Sequence, residues 1–262
     1  KATQLINFLE RNYPKVTQFT GETMKKTTIY MPTSLDEMKL LTGTSGATST
    51  YIYGEDLVFV HSKSEYLNTI ALKEVVYRMI MKNSASYSIR QQISINNGNW
   101  LVDGVSNYIA AKIVGERGLI REQIDAFVEK PTSFEWYGTG TLAQYGATYT
   151  LFKQLAEKYG DKVIDKTLMY LGSSMVSNHR CSTLEQCTLL RAVYSASSMD
   201  INDKRYELNF NALVNDWRSY IEPQIIAGLN TFQRAELEKA LANVGNLPLT
   251  NTENAVLALV RF

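Results

Sequence analysis

An excess of charge of either sign is missing from this chain. Its 27 Lys and Arg nearly cancel its 26 Asp and Glu, leaving a formal net charge of +1. No basic surplus points to nucleic acid, and no acidic tract serves as a solvating tail. Long apolar runs are missing too. Nothing approaches the ~18 residues needed to cross a bilayer, so membrane contact is expected only through segments outside these 262 residues. Gly43-Thr-Ser-Gly46 lacks the Lys-Ser/Thr ending of a phosphate loop. Gly138-Thr-Gly140 is too short for a dinucleotide fingerprint, and no G-x-S-x-G occurs. Histidine is reduced to His61 and His179, and cysteine to Cys181 and Cys187. Two thiols with His179 as the nearby imidazole do not make a structural zinc site.

What is present is ordinary for a globular chain: 45% hydrophobic against 20% charged, enough for one large domain or two small ones. The 16 tyrosines are a high count. Tyrosine-rich surfaces bind partners, although packing is the commoner use of the residue. The chain begins at Lys1 rather than Met, which reads as a processed or excised segment with room for a leader or anchor before it.

The two cysteines lie in Arg180-Cys-Ser-Thr-Leu-Glu-Gln-Cys187, where Ser182 and Glu185 match a capping box and predict a helix from Ser182. Cys181 then precedes the cap and Cys187 falls in the second turn, close enough for their side chains to meet. A small disulfide and a pair of buried free thiols both fit. The disulfide is the favoured reading, and it would place the chain outside the cytoplasm.

Along the chain, residues 4–11 read as a short helix closed by Asn12-Tyr13-Pro14, and 27–31 as a strand ended by Pro32. Ser34-Leu-Asp-Glu37 opens a helix to about Leu41, and 42–49 reads as loop. Residues 50–53 and 57–61 are β-rich runs joined by the hairpin signal Gly54-Glu-Asp56. From Glu65 the character changes to helix: 66–81 (largely buried), 100–115, 119–128, 142–159, 161–171, the cysteine helix, 210–221 ended by Pro223, and 235–243 stopped by Gly245. Asn96–Asn99 reads as a turn and 131–140 as an aromatic loop. The expected class is α+β, a small N-terminal mixed sheet followed by a mostly helical body. The expected division is 1–222, with an α/β part at 1–62 and a helical part at 63–222, and then a helical extension at 223–262.

Three segments together carry a resemblance. They are Trp100-Leu-Val-Asp-Gly-Val-Ser-Asn-Tyr108, Tyr145-Gly-Ala-Thr-Tyr-Thr-Leu-Phe-Lys-Gln-Leu-Ala-Glu-Lys-Tyr-Gly160, and Phe210-Asn-Ala-Leu-Val-Asn-Asp-Trp-Arg-Ser-Tyr220. In that order, after a strand, a hairpin and a long helix, residues 1–222 resemble gluzincin zinc metallopeptidases of the peptidase MA-like group. The resemblance implies a zincin-like fold. It also implies an HExxH helix whose two histidines, one turn apart, share a zinc ion while the glutamate activates the metal-bound water, with a third ligand on a second helix.

The match fails at those ligands. In Ala71-Leu-Lys-Glu-Val-Val-Tyr77, Lys73 stands for the first histidine and Tyr77 for the second, while Glu74 keeps the general-base position. Asp103, 26 positions after Tyr77, stands for the glutamate ligand. A protonated lysine has no lone pair and repels a divalent cation, and a tyrosine with its usual pKa near 10 is a poor zinc ligand. No metal and no cofactor is therefore expected. Lys73 is expected to take over the charge of the zinc and to pair with Glu74 or Asp103. Trp100, Tyr145 and Tyr149 are candidates for the cleft wall, and His61 and His179 read as ordinary structural or surface residues.

The function implied is a catalytically inactive metallopeptidase homologue. It would be a binding or structural domain of a secreted or cell-envelope protein, with a protein or peptide partner. The alternative is a metal-independent enzyme using Lys73, Glu74 and Asp103 in the old cleft, with lysine as base or nucleophile.

Overall fold

The computed structural model describes residues 1–21, 27–44, 47–52, 56–83, 100–131, 140–171, 181–198, 208–228 and 235. The expected turn at 96–99, most of the loop at 131–140, His179 and the helix expected at 235–243 lie outside them, apart from the end residues of the loop and residue 235 of the helix.

Helix α1 (Ala2–Thr20) packs Leu5, Leu9 and Val16 inward and stops at Gly21, whose left-handed backbone (φ 68°) sends its N–H to the Thr17 carbonyl. The helix runs straight through Pro14, where the sequence predicted a stop. Pro14 costs one backbone bond, to the carbonyl of Glu10. Both residues face solvent, where water replaces the bond, while buried Leu9 and Val16 hold the chain on either side.

Strand β1 (Thr28–Tyr30), helix α2 (Leu35–Thr42), and strands β2 (Ser49–Ile52) and β3 (Leu57–Val60) follow. The Ser34 hydroxyl caps α2 by accepting from the Glu37 amide. β3 is the middle strand, parallel to β1 on one side and antiparallel to β2 on the other. Its unbroken apolar run puts Val58, Phe59 and Val60 all inside, as a central strand covered on both faces requires. β2 begins one residue before the predicted start, at Ser49.

The body is α3 (Leu67–Asn83), α4 (Trp100–Val114), α5 (Leu119–Glu129), α6 (Leu142–Tyr159), α7 (Lys162–Tyr170), α8 (Leu184–Ala196) and α9 (Phe210–Gly228). The class is α+β, a small three-stranded mixed sheet on a mostly helical body. α3 packs on the sheet, on α1 and on α4, and α4 packs in turn on α6. α4 is enclosed: Leu101 through Ala111 are all buried.

Two glycines set how closely these helices approach. A Cβ on Gly104 of α4 would lie 2.5 Å from the Phe152 ring of α6, and one on Gly146 of α6 would overlap the Gln123 carbonyl of α5. α9 passes through Pro223 to Gly228, so the predicted end at Pro223 and the predicted division at 222/223 fall inside a continuous helix. The reason repeats that of α1. Pro223 and its lost partner Ser219 are exposed, whereas Ile221 and Ile225 are buried on the other face.

Cys181 and Cys187 are joined in a disulfide, with Cα atoms 5.2 Å apart and both residues buried. The helix cap lies one residue later than predicted. Thr183, not Ser182, accepts from the Gln186 amide, and the Gln186 side chain reaches back to the Ser182 N–H. Ser182/Glu185 and Thr183/Gln186 both satisfy the same capping pattern.

Gly146→Ala tests the closest of these contacts. Because its new methyl meets backbone rather than a movable side-chain tip, it is expected to destabilise the fold by about 3 kcal/mol, read from chemical denaturation. Ala147→Gly, next to it on the helix, is expected to cost only the ~1 kcal/mol of helix propensity and a lost methyl.

Candidate functional site

α3 buries Ile70, Ala71, Leu72, Val75, Val76, Met79, Ile80 and Met81, residues distributed right round the helix. A helix apolar on all sides takes its charged residues into the interior with it. Lys73 and Glu74 are accordingly only 6% and 7% exposed, and Asp103, on enclosed α4, is 5% exposed.

Lys73 and Asp103 meet. The Lys73 ammonium lies 3.3 Å from Asp103 Oδ1 and 3.7 Å from the centre of the Tyr145 ring, over its face. An ammonium on a ring face is held by the ring quadrupole, more strongly when water is excluded. Burial pushes the amine down, but Tyr145, Asp103 and Glu74 together outweigh it and hold Lys73 above the ordinary lysine range. The amine is a fixed cation, the opposite of what a lysine base or nucleophile needs.

Glu74 takes a different partner. Its Oε1 accepts a 2.7 Å hydrogen bond from the Ser49 hydroxyl on β2. Burial raises its carboxyl above the usual value of 4.5, with the Asp103 charge adding to the rise, and Lys73 and the Ser49 bond only partly restrain it. Tyr77, one turn along α3, is half-buried. Burial, then the charges of Asp103 and Glu74, hold its phenol well above 10, so it is a neutral hydroxyl at any working pH.

These residues do not fit zinc. Lys73 is a cation, Tyr77 is a phenol that burial keeps protonated, and the Asp103 carboxylate is paired with the Lys73 ammonium. Among the described residues, no group of three or more His, Cys, Asp or Glu is placed to hold a metal ion. His61 ends beyond β3, its backbone N–H bonded to the Thr48 carbonyl, and its Nε2 is buried without a hydrogen-bond partner.

Of the three aromatic candidates, Tyr145 contacts Lys73. Tyr149, one turn further along α6, is buried and donates its hydroxyl to Glu116 Oε1 at 2.6 Å, in a cluster with Lys153. Trp100 packs its ring against Phe210 of α9, 6.0 Å between centroids.

The structure adds residues that the sequence alone does not point to. Ser49 and Tyr51 are alternate residues of β2 and share one face. Ser49 reaches Glu74, and the Tyr51 ring meets Tyr77 edge-on at 6.4 Å. Arg78, 2% exposed, pairs with Asp56 at 2.8 Å, and Asp56 also accepts from the Tyr51 hydroxyl at 3.2 Å. The period of two along 49–51, set against the 73/74/77/78 face of α3, is the signal that could have found them.

No protein-family model, no curated protein and no solved structure matches this chain.

The raised carboxyl of Glu74 fixes a sign. A group that binds its proton more tightly in the folded state favours folding fully below the unfolded value of 4.5, and loses that contribution as pH rises through the folded value. Glu74→Gln keeps an acceptor for Ser49 and removes the charge. It is expected to be more stable than the wild type at pH 7, with the difference shrinking as the pH falls toward 4.5. Paired thermal melts from about pH 4 to 8 check this, and a pH-independent difference would contradict it.

Proposed function

We propose that this chain is a gluzincin-like domain of the peptidase MA-like kind, zincin-like in fold, whose zinc centre has been exchanged for a buried ion pair. On this reading it does not hydrolyse peptides through a metal-bound water. It serves as a binding or structural domain of a secreted or cell-envelope protein, with a protein or peptide as partner.

The observation that carries this reading is the Lys73–Asp103 pair. It joins the two helices at the positions where the resemblance puts the first histidine and the third ligand, with Glu74 still between Lys73 and Tyr77. A solvated ion pair on an ordinary helix face would leave Lys73 in water, whereas here both partners are buried. The order of small mixed sheet, long buried helix and second ligand helix agrees with the same scaffold. The Cys181–Cys187 disulfide supports an oxidising compartment, since such bonds are rare in the reducing cytoplasm. The metal-independent enzyme is the weaker reading, because it needs a lysine of lowered pKa and the surroundings of Lys73 act the other way.

Metal analysis of two proteins tests the proposal. The wild type is expected to carry no stoichiometric zinc. The triple variant K73H/Y77H/D103E recreates the HExxH pattern with a glutamate on α4, and is expected to bind one zinc ion per chain. Stoichiometric zinc in the wild type, or a folded triple variant that takes none, would contradict it.

A further inference from the structure

We infer that the neighbours of Lys73 form an ammonium-binding site in their own right, selective for a primary alkylammonium, and that Lys73 is its built-in occupant. The walls come from elements other than the lysine stem. Asp103 on α4 supplies the carboxylate at 3.3 Å, and Tyr145 on α6 supplies the ring face at 3.7 Å. Glu74 adds negative potential from beside Lys73 while its Oε1 is engaged by Ser49 on β2. The spacing of the walls does not depend on Lys73. α4 and α6 are brought together at Gly104, where Phe152 and Thr148 occupy the space a side chain would fill.

The chemistry of the walls selects the class of cation. A ring face attracts a monovalent cation but offers no lone pair, and a divalent metal needs several directed donors. One carboxylate at contact distance balances one charge. A primary ammonium has donors to direct at Asp103, whereas a quaternary ammonium has the charge and no donor. Taking the Asp103 carboxylate out of water favours a cation beside it, which is the driving force for filling the site.

The inference goes beyond the peptidase-like reading and stands without it. A folded K73H/Y77H/D103E protein that ignores zinc would leave it intact.

Lys73→Ala removes three methylenes and the ammonium, the volume of n-propylammonium. The experiment compares melting midpoints of the wild type, K73A, K73M and K73A/D103N in n-propylammonium chloride, in tetramethylammonium chloride at equal concentration, and with zinc chloride. Propylammonium is expected to raise the K73A midpoint by at least about 2 °C. It should leave the wild type and K73M unmoved, and its effect should be lost in K73A/D103N. Equal shifts in wild type and K73A, an equal effect of tetramethylammonium, persistence of the shift in K73A/D103N, or stabilisation of K73A by zinc alone would each overturn the proposal. If K73A does not fold by itself, the readout becomes recovery of a cooperative transition on refolding in propylammonium, and no recovery overturns it.

Discussion

Between α3 and α4 a lysine ammonium and an aspartate carboxylate have both been taken out of water, 3.3 Å apart. At an effective dielectric of ~20 their gross attraction is on the order of 5 kcal/mol. Desolvation costs several kcal/mol for each ion. The two terms nearly cancel, so the pair adds little to stability when intact. Broken, it leaves a buried charge at a cost of about 3–5 kcal/mol. That asymmetry selects the register of α3 against α4 and the Tyr145 turn of α6, whose own spacing is set at Gly104, because only that register keeps the pair closed. Well-packed apolar residues at these positions would hold the helices together without demanding that register.

The sheet and the turn before β3 are fastened to the same helix by two polar contacts and one aromatic contact. Ser49 meets Glu74, Tyr51 meets Tyr77, and Asp56 meets Arg78. On the proposed peptidase-like reading, Glu74 stands where a base would lie beside a metal-bound water. Here its carboxylate accepts from a serine of the edge strand, and burial keeps its proton affinity high. The lysine beside it is equally tied down, held above its ordinary range by the groups that would have to release it for chemistry.

Much of this is legible in the sequence, and the failures have physical causes. Lys73, Glu74 and Asp103 are brought together in the sequence by the resemblance that the Trp100–Tyr108 segment carries, which sets Lys73 and Glu74 on one helix and Asp103 on a second as neighbours. Tyr145 follows from the same logic. Tyr149 does not, since one further turn along α6 exchanges Lys73 for Glu116 as the neighbour. Ser49 looks like the end of a loop because its polar run hides a strand whose burial is only partial. Pro14 and Pro223 look like stops. Local chemistry says so, but each proline and its lost carbonyl partner face water while apolar residues on the opposite face keep the helix going. The cap at Thr183 is displaced by one residue from the expected Ser182 because adjacent residues satisfy the same motif. Patterns that repeat along an element are readable, and contacts between elements are readable only where charge demands a partner.

The central claim is that Lys73 and Asp103 are energetically one unit, and a double-mutant cycle measures that directly. Denaturation of the wild type, K73M, D103L and K73M/D103L should show each single change as strongly destabilising. The double variant should be more stable than either, which requires a coupling larger than either single loss, at least about 3–5 kcal/mol. Losses that simply add, with a coupling near zero, would mean that the two charges are independent and that no ion pair joins α3 to α4.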